Sequence, residues 1–168
     1  EHGSFVLAAR QTAGRGRRGR SFYSPEDAGI YLSVILEPRG NLQENLLLTA
    51  EAAVAVYKAV KEVTGIELDI KWVNDLYYHG KKVCGILTEA ITDFESGNIE
   101  FAIVGIGLNL YETPEGYPEE LQGIAGGLFT DRDNASELDR NRLVAAIINN
   151  LLIETQEMQL PEEYIDQN

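Results

Sequence analysis

The pattern of apolar and polar positions predicts a strand at each end of a polar segment in the first third of the chain. Residues 5–8 form a short apolar run that is typical of a strand. Residues 29–36 are rich in β-branched and aromatic side chains and are bounded by Gly29 and Pro38, which predicts a mostly buried strand. The segment between these two strands is dominated by glycine and arginine.

The period then changes to that of a helix. Between residues 42 and 64, apolar side chains recur at steps of three and four, which predicts an amphipathic helix that Gly65 would end as a C-cap residue. A second helix is predicted from Asp139, a plausible N-cap, to about residue 158. The positions that recur in the first helix are Leu46, Ala50, Ala53, Tyr57 and Val60.

The middle of the chain reads as strands joined by short links. Residues 68–72 predict a strand, and residues 76–78 and 82–87 flank His79-Gly80, which predicts a hairpin. Residues 99–110 form a further apolar run, and residues 112–136 predict an irregular connection with a short helical piece. Because the strands follow one another by hairpin-length links, the pattern predicts an α+β fold with a mixed sheet rather than a regular βαβ alternation.

Length and composition limit the class of protein. The 168 residues are enough for one domain, and no repeat or linker divides them. Hydrophobic residues make up 44% and charged residues 24%, which excludes a disordered or collagen-like chain. No apolar run is long enough to cross a bilayer, so no membrane association is expected. Cys84 is the single cysteine and cannot form an internal disulfide, which favours the cytoplasm.

Charge is distributed very unevenly. The formal net charge is −13, which argues against general binding of nucleic acid. Residues 1–25 nevertheless hold five arginines and a single acid, Glu1, whereas residues 111–168 hold three basic and thirteen acidic residues. The arginine cluster therefore indicates a local site for an anion on an acidic protein.

That cluster is residues 11–20, Gln-Thr-Ala-Gly-Arg-Gly-Arg-Arg-Gly-Arg. Glycines let the backbone approach a ligand closely, and arginines supply forked donors for phosphate or carboxylate. No Gly-Lys-Ser/Thr follows, so it is not a Walker A loop. Taken alone, the run fits a solvated basic loop or a nucleic-acid tether equally well.

Three further motifs carry polar groups near strand ends. The first is Lys71-Trp72-Val73-Asn74-Asp75, in which we expect Trp72 to be a core residue and Asp75 to start a turn. In residues 80–87 the paired lysines suit an exposed hairpin edge, and Gly85 indicates a bulge or a ligand against the backbone. Residues 104–109, Val-Gly-Ile-Gly-Leu-Asn, again indicate close packing or a substrate contact.

In this order, the four motifs resemble those of the catalytic domain of biotin protein ligases, also called biotin–acetyl-CoA-carboxylase ligases. Ser24-Pro25, Leu32-Ser33 and Glu89 add to the resemblance. It covers residues 6–110, and the helix at 139–158 fits the family layout. The implied fold is an α+β domain with a mixed β-sheet flanked by helices, related to class II aminoacyl-tRNA synthetases and lipoate ligases.

The resemblance implies a two-step ligase. Biotin attacks the α-phosphate of ATP, which brings Mg²⁺ with it, to give biotinyl-5′-AMP and pyrophosphate, and a lysine of a partner then takes the biotinyl group. The implied partner is the biotin carboxyl carrier domain of acetyl-CoA carboxylase or of another biotin-dependent carboxylase. No nucleic-acid partner is expected for this chain, and a homodimer is left open.

Carried over position by position, the resemblance assigns catalytic roles to Arg17, Lys71 and Lys82. Arg17 would meet the phosphate of the adenylate, Lys82 the biotin carboxylate and the α-phosphate, and Lys71 would assist phosphate transfer. No residue is assigned to a metal. The remaining implied binding residues are Gln11, Gly14, Arg15 and Gly16 in the arginine cluster, Phe22 where the family often has a tryptophan beside adenine, Gly85 beside biotin, and Asn109 by the adenylate.

The family pattern extends beyond both ends of the sequence. A Ser-Thr-Asn segment and a helix precede the arginine cluster in the family, and a small SH3-like domain follows the catalytic domain. We therefore expect residues 1–168 to be a biotin-ligase-like catalytic domain without its N-terminal start and its C-terminal domain. Two alternatives stay open: a lipoate or octanoyl ligase or transferase relative, and a non-catalytic module that binds an anion or nucleic acid.

Overall fold

Six strands and two long helices make up the regular structure of the part of the chain that a computed structural model describes. The described residues are 1–37, 44–113, 115–135 and 138–157, with only the backbone of 44–46 and 157. In chain order the elements are β1 (Phe5–Ala8), β2 (Gly29–Leu36), α1 (Glu44–Thr64), β3 (Asp69–Lys71), β4 (Asp75–Tyr78), β5 (Lys81–Thr92), β6 (Ile99–Asn109) and α2 (Arg140–Glu157).

The strands form one sheet in the order β1-β2-β6-β5-β4-β3. Every pair of neighbouring strands in it is antiparallel, and two isolated bridges, Lys82 with Ala125 and Tyr111 with Phe129, add parallel pairing at its margin. The predicted α+β class is confirmed. The predicted strands are confirmed with bounds that differ by at most one residue, except that β5 continues to Thr92 instead of ending at residue 87.

The hairpin between β4 and β5 follows from two residues. His79 and Gly80 both have positive φ, 50° and 75°, as a two-residue turn that matches the twist of the flanking strands requires. The turn places Tyr78 opposite Lys81 and Tyr77 opposite Lys82. A shift in register between Leu76 and Tyr77 then brings Leu76 opposite Cys84 and Asp75 opposite Gly85. The predicted hairpin is therefore confirmed, and it determines which side chains of β4 and β5 are neighbours.

The cap residues predicted from the sequence bound the helices as expected, with Gly65 at the end of α1 and Asp139 at the start of α2. Gly65 adopts a φ of +75° and its N–H donates to the carbonyl of Lys61 at 2.9 Å. At the start of α2, the side chain of Asp139 accepts from the N–H of Arg142 at 2.9 Å. The predicted start of the first helix at residue 42 and the predicted end of the second at residue 158 lie outside the described residues.

The helices cover one face of the sheet and leave the other for the site. Cys84 and Ile86 on β5 are buried in the same apolar cluster as the inner side of α1, and the hydroxyl of Thr49 donates to that of Thr88 at 2.9 Å. Since side chains alternate along a strand, the residues between these positions, Gly85 among them, point to the opposite face.

The irregular connection after β6 lies against the sheet. It contains two short 3-10 turns, Glu119–Leu121 and Asp133–Ala135, as the predicted short helical piece requires. The N–H of Lys82 donates to the carbonyl of Ile124 at 2.8 Å, and the N–H of Gly126 donates to the carbonyl of Lys82 at 2.9 Å. The connection is thereby fixed beside the first residues of β5.

Two isoleucines of α2 test how far the packing of the helices stabilises this fold. Ile147 is fully buried, whereas Ile153 is 51% exposed. We expect Ile147→Ala to lower the free energy of unfolding by about 2–5 kcal/mol, because it leaves a cavity between the helices and the sheet. Ile153→Ala should cost less than about 1 kcal/mol. Urea denaturation followed by circular dichroism measures both, and equal losses would contradict this account of the core.

Candidate active site

Three glycines form the floor of the site on the uncovered face of the sheet. Gly85 on β5 lies directly opposite Gly107 on β6, and Gly105 lies opposite Leu87. A Cβ placed on Gly107 would lie 2.3 Å from the ring of Phe22, and one on Gly85 would lie 3.0 Å from it. The sheet therefore lacks side chains where Phe22 and a ligand could approach the backbone.

The arginine cluster folds back on itself above this floor. The N–H of Gly16 donates to the carbonyl of Arg20 at 2.7 Å, and the N–H of Phe22 donates to that of Gly14 at 2.8 Å. At the far end of the loop, Arg18 and Gly19 both have positive φ. The segment is thus a closed loop with defined backbone bonds that presents several arginines to one region.

Two adjoining cavities of about 310 and 610 Å³ lie between the loop and the sheet. Both cavities are lined by Gly16, Arg17, Phe22, Asn74 and Lys82. These residues come from three separate parts of the sequence, and the fold brings them together. They mark the junction of the two cavities.

The smaller cavity combines apolar side chains with polar and charged ones. The hydroxyl of Ser24 donates to Oε1 of Gln11 at 2.8 Å, which fixes the orientation of that amide. Arg15 forms an ion pair with Glu89 at 3.3 Å, and both side chains are largely exposed. Besides the shared residues, the lining comprises Gln11, Ala13, Arg15, Leu32, Ser33, Gly85, Ile86, Leu87, Glu89, Ile103, Gly105, Ile106 and Gly107.

The larger cavity has basic and aromatic walls. Tyr23 and Tyr117 lie edge to face at 6.2 Å between ring centroids. Burial raises the pKa of Tyr117 to about 12, with the charge of Glu112 adding to the shift, so its phenol stays protonated near neutral pH. Besides the shared residues, the lining comprises Arg18, Arg20, Ser21, Tyr23, Lys71, Asp75, Tyr77, Asn109, Tyr117, Glu120, Leu121, Ile124 and Ala125.

At the junction the two cations have polar partners. Nη1 of Arg17 donates to Oδ1 of Asn74 at 3.0 Å. Nζ of Lys82 lies 2.7 Å from Oδ1 of Asp75, and about a quarter of each of these side chains is exposed. Arg17 and Lys82 are therefore held in place by protein groups beside the space that an anion would take.

Two other residues singled out by sequence line the larger cavity. The side-chain amide of Asn109 is buried and donates to the carbonyl of Gly126 at 3.2 Å, which leaves its oxygen free to turn to a ligand. Lys71 places its ammonium 5.4 Å from the ring centroid of Tyr77, at cation–π distance. The structure thus brings together Arg17, Lys71 and Lys82, to which the resemblance gave catalytic roles.

The structure corrects the expectation for Trp72 and places Gly14 outside both cavities. A Cβ on Gly14 would lie 2.4 Å from the carbonyl oxygen of Phe22, so the turn of the loop needs a glycine at this position. Trp72 is not a core residue, since 74% of its surface is exposed beside edge strand β3. The pattern of apolar residues around Trp72 could not show whether its strand is buried or lies at an edge, because the strand order decides this.

Several lining residues had no assigned role in the sequence analysis. They are Ser33, Asn74, Asp75, Glu89 and Tyr117. For Asn74 and Asp75 the signal was present, since they follow Lys71 and Trp72 in one motif. Tyr117 lies in the irregular connection, where no periodicity indicates which side chains turn toward the sheet.

Among the described residues, no three His, Cys, Asp or Glu side chains are grouped closely enough to hold a metal ion. No helix in the described part of the chain is long and apolar enough to cross a membrane. Cys84 is fully buried, and burial raises the pKa of its thiol, as expected for a small core residue rather than a nucleophile.

The model of the biotin/lipoate A/B protein ligase family matches residues 1–109, which is more than half of the sequence. The chain belongs to this family. Among curated ligases of this family, the bifunctional ligase/repressor BirA of Bacillus subtilis is 41% identical over 146 residues, which are 87% of this chain and 44% of that protein. The biotin–[acetyl-CoA-carboxylase] ligase of Paracoccus denitrificans is 39% identical over 67% of this chain and 46% of its own length.

The fold is also that of solved biotin protein ligases. The ligase of Aquifex aeolicus in complex with biotin and ATP superposes with a TM-score of 0.74 at 31% identity, over 94% of this chain and 62% of that one. The chain spans about half the length of the curated relatives that it matches.

The glycine floor leads to a prediction about its tightest contact. In Gly107→Ala the new methyl group would overlap the ring of Phe22, whereas in Gly105→Ala the nearest atom, the carbonyl of Leu87, is 3.4 Å away. We expect Gly107→Ala to lower the free energy of unfolding by about 1–3 kcal/mol and Gly105→Ala by clearly less. Chemical denaturation measures both; equal losses would show that Phe22 does not rest on Gly107.

Proposed function

We propose that this protein is a biotin–[biotin carboxyl-carrier protein] ligase that uses ATP to form biotinyl-5′-AMP and then biotinylates a lysine of a carrier domain. One observation carries the proposal: Arg17 and Lys82 line both cavities and so face two ligands at once. A carboxylate and a triphosphate are two anions that must be brought together, which a fixed pair of cations achieves.

The smaller cavity suits biotin. Strands β2, β5 and β6 give it apolar side chains and glycine backbone, and Gln11 and Ser33 are among its polar groups. Because Oε1 of Gln11 already accepts from Ser24, its amide nitrogen is the natural donor toward a ureido carbonyl. Gly85 and Gly107 would let the thiophane ring and the valeryl chain lie against the sheet.

The larger cavity suits the nucleotide. Arg18, Arg20 and Lys71 supply charge for the β- and γ-phosphates. The rings of Tyr23 and Tyr117 and the amide of Asn109 offer an apolar surface and hydrogen bonds for the base. Phe22 lies at the junction against Gly85 and Gly107, which supports contact with the biotin chain as much as with adenine.

The chemistry would take place at the junction. An oxygen of the biotin carboxylate attacks the α-phosphorus, a C–O–P anhydride forms, and the bond to the β-phosphate oxygen breaks as pyrophosphate leaves. Arg17 and Lys82 would offset the negative charge that grows on the α-phosphate, and Lys71 would assist as pyrophosphate departs. In the second step the amine of the carrier lysine forms the amide and AMP leaves, so no protein nucleophile is needed.

The remaining assignments concern the loop. Arg15 and Gly16 would cover the biotin pocket, with Arg15 now paired to Glu89. Gly14 would act through the loop's shape rather than by contact. Such a cover would keep water from a mixed anhydride that hydrolyses easily.

Magnesium would arrive with ATP. Mg²⁺ is usually bound by substrate phosphates and at most one or two carboxylates, which fits a site whose described residues hold no cluster of metal ligands. Asp75 and Glu120 are the carboxylates on the walls of the larger cavity, and Asp75 is already paired with Lys82. When bound, the ion would neutralise charge on the phosphates.

The proposed acceptor is the biotin carboxyl carrier domain of acetyl-CoA carboxylase or of another biotin-dependent carboxylase. Relatives named as biotin–[acetyl-CoA-carboxylase] ligases support this choice. The requirement for ATP supports the cytoplasm as the place of action.

The proposal is tested by isotope exchange between pyrophosphate and ATP, with the protein expressed together with whatever residues its gene encodes on either side. We expect exchange that depends on biotin and is at least about tenfold slower with lipoate or octanoate, which lack the ureido ring. Exchange that is faster with lipoate would favour the lipoate alternative. No exchange with any of the three acids, together with no heat on titrating biotin, would refute a ligase.

A second prediction concerns Arg17 alone. We expect Arg17→Ala to slow adenylate formation by about 100-fold or more while the Kd for biotin changes less than about fivefold, because its charge acts mainly on the phosphate in the transition state. Arg10→Ala is the matched control, since Arg10 directly precedes the arginine cluster and lines neither cavity. Single-turnover kinetics and calorimetry measure the two effects; equal losses would contradict the role given to Arg17.

A further inference from the structure

The link between β3 and β4 places two polar residues beside the two cations of the junction. Asn74 lies at the end of that link and Asp75 begins β4. Asn74 lines both cavities and Asp75 lines the larger one. Each of them contacts one cation, Asn74 that of Arg17 and Asp75 that of Lys82.

Asn74 is fixed to the sheet by its own backbone and side chain. Its carbonyl accepts from the N–H of Ile86 at 2.9 Å, and its Nδ2 donates to the carbonyl of Ile86 at 3.4 Å. With the amide nitrogen turned to β5, Oδ1 faces the loop and accepts from Arg17 at 3.0 Å. The side chain therefore joins the guanidinium of Arg17, which lies on the loop, to strand β5.

Asp75 contacts its cation through a buried carboxylate oxygen, whereas Asn74 uses a neutral amide oxygen. Oδ1 of Asp75 is buried and, within the described part of the chain, takes no hydrogen bond, although Nζ of Lys82 lies 2.7 Å away. The contact is thus an ion pair whose angles fall outside those of a hydrogen bond. Because this carboxylate oxygen is buried and its close contact is an ammonium, its energy depends on where that ammonium lies.

A role in starting the hairpin turn does not explain the contacts that Asn74 and Asp75 make with the two cations. The sequence predicts that Asp75 starts a turn, but in the structure it pairs with Gly85 inside the β4–β5 ladder, and the hairpin turn is made by His79 and Gly80. The pairing of Asp75 with Gly85 aims its side chain at Lys82, whose Nζ lies 3.4 Å from where a Cβ on Gly85 would be. The carboxylate and the lysine are therefore held over the glycine floor.

We propose that Asn74 and Asp75 are positioning residues, which hold Arg17 and Lys82 at the junction of the two cavities before either substrate binds. The inference deepens the proposed function and rests on it. Two cations close to one site repel each other when no anion is present, and a neutral acceptor for one and a carboxylate for the other offset that repulsion. Cations that are already in position do not have to reorganise when negative charge grows on the phosphate in the transition state.

The test is a double-mutant cycle on Asp75 and Lys82, followed by biotin-dependent exchange between pyrophosphate and ATP. If Asp75 acts through Lys82, Asp75→Asn should slow exchange by about tenfold or more in the otherwise unchanged protein and by less than about twofold when Lys82→Ala is already present. A merely structural role would give the same factor in both backgrounds, and that result would overturn the inference.

A matched carboxylate serves as control. Asp69→Asn removes an acid from the neighbouring strand β3, and Asp69 is exposed and lines neither cavity. We expect it to leave exchange within about twofold of the unchanged protein. Thermal unfolding of every variant shows whether a loss of exchange reflects a loss of folded protein, and a loss that disappears when rates are corrected for the folded fraction would count against the inference.

Magnesium dependence separates the inference from direct metal binding. If Asp75 binds Mg²⁺ rather than positioning Lys82, Asp75→Asn should raise the Mg²⁺ concentration for half-maximal exchange with or without Lys82→Ala. That result would overturn the positioning role. An unchanged Mg²⁺ requirement with strong coupling to Lys82 supports it.

The same cycle with Asn74→Ala and Arg17→Ala tests the second contact. We expect coupling of the same sign, with the larger effect on the rate of adenylate formation than on the Kd for biotin measured by calorimetry. Additive effects would overturn the role of Asn74. If the unchanged protein shows neither exchange nor heat with biotin, the proposed function itself fails and this inference with it, a result distinct from an active protein with additive variants.

Discussion

The site depends on a strip of sheet that carries no side chains. Gly85 and Gly107 lie opposite each other on the two central strands, on the face that the helices leave open. A methyl group on Gly107 would collide with Phe22, so the smaller cavity, which Gly85 and Gly107 line, depends on the absence of a Cβ at these positions. The other face of the same strands is largely apolar and packs on α1, which keeps the floor rigid while the loop supplies the charge.

The two cavities are lined by positively charged side chains, although the protein as a whole is acidic. The chain as a whole carries −13, yet arginines and lysines from the loop, from β3 and from β5 line one pair of cavities. Acidic groups accompany them at the same place: Glu89 pairs with Arg15 and Asp75 with Lys82. An acidic body with a local cationic centre is suited to small anions that fit inside, and less to an extended polyanion that would lie across the whole surface.

Much of this could be predicted from sequence because the signals are local. The run at residues 29–36 became β2 with the same bounds, and Gly65 and Asp139 end and begin their helices as cap residues do. Trp72 was the clear failure: an aromatic side chain in an apolar strand looks the same whether the strand is central or at an edge. The ion pair of Asp75 with Lys82 could not be predicted either, because it depends on the register of β4 against β5.

The sequence by itself determined the elements, the glycine and arginine content of the loop, and the family, since period, caps and motif order are properties of neighbouring residues. Only the tertiary structure decided that Arg17 and Lys82 line both cavities, that Gly14 shapes the loop without lining them, and that Asn74 and Asp75 each contact one cation. The physical reason is that these contacts join residues far apart in the chain. Strand order, register and the direction of each side chain fix such contacts, and none of the three is encoded in a local pattern.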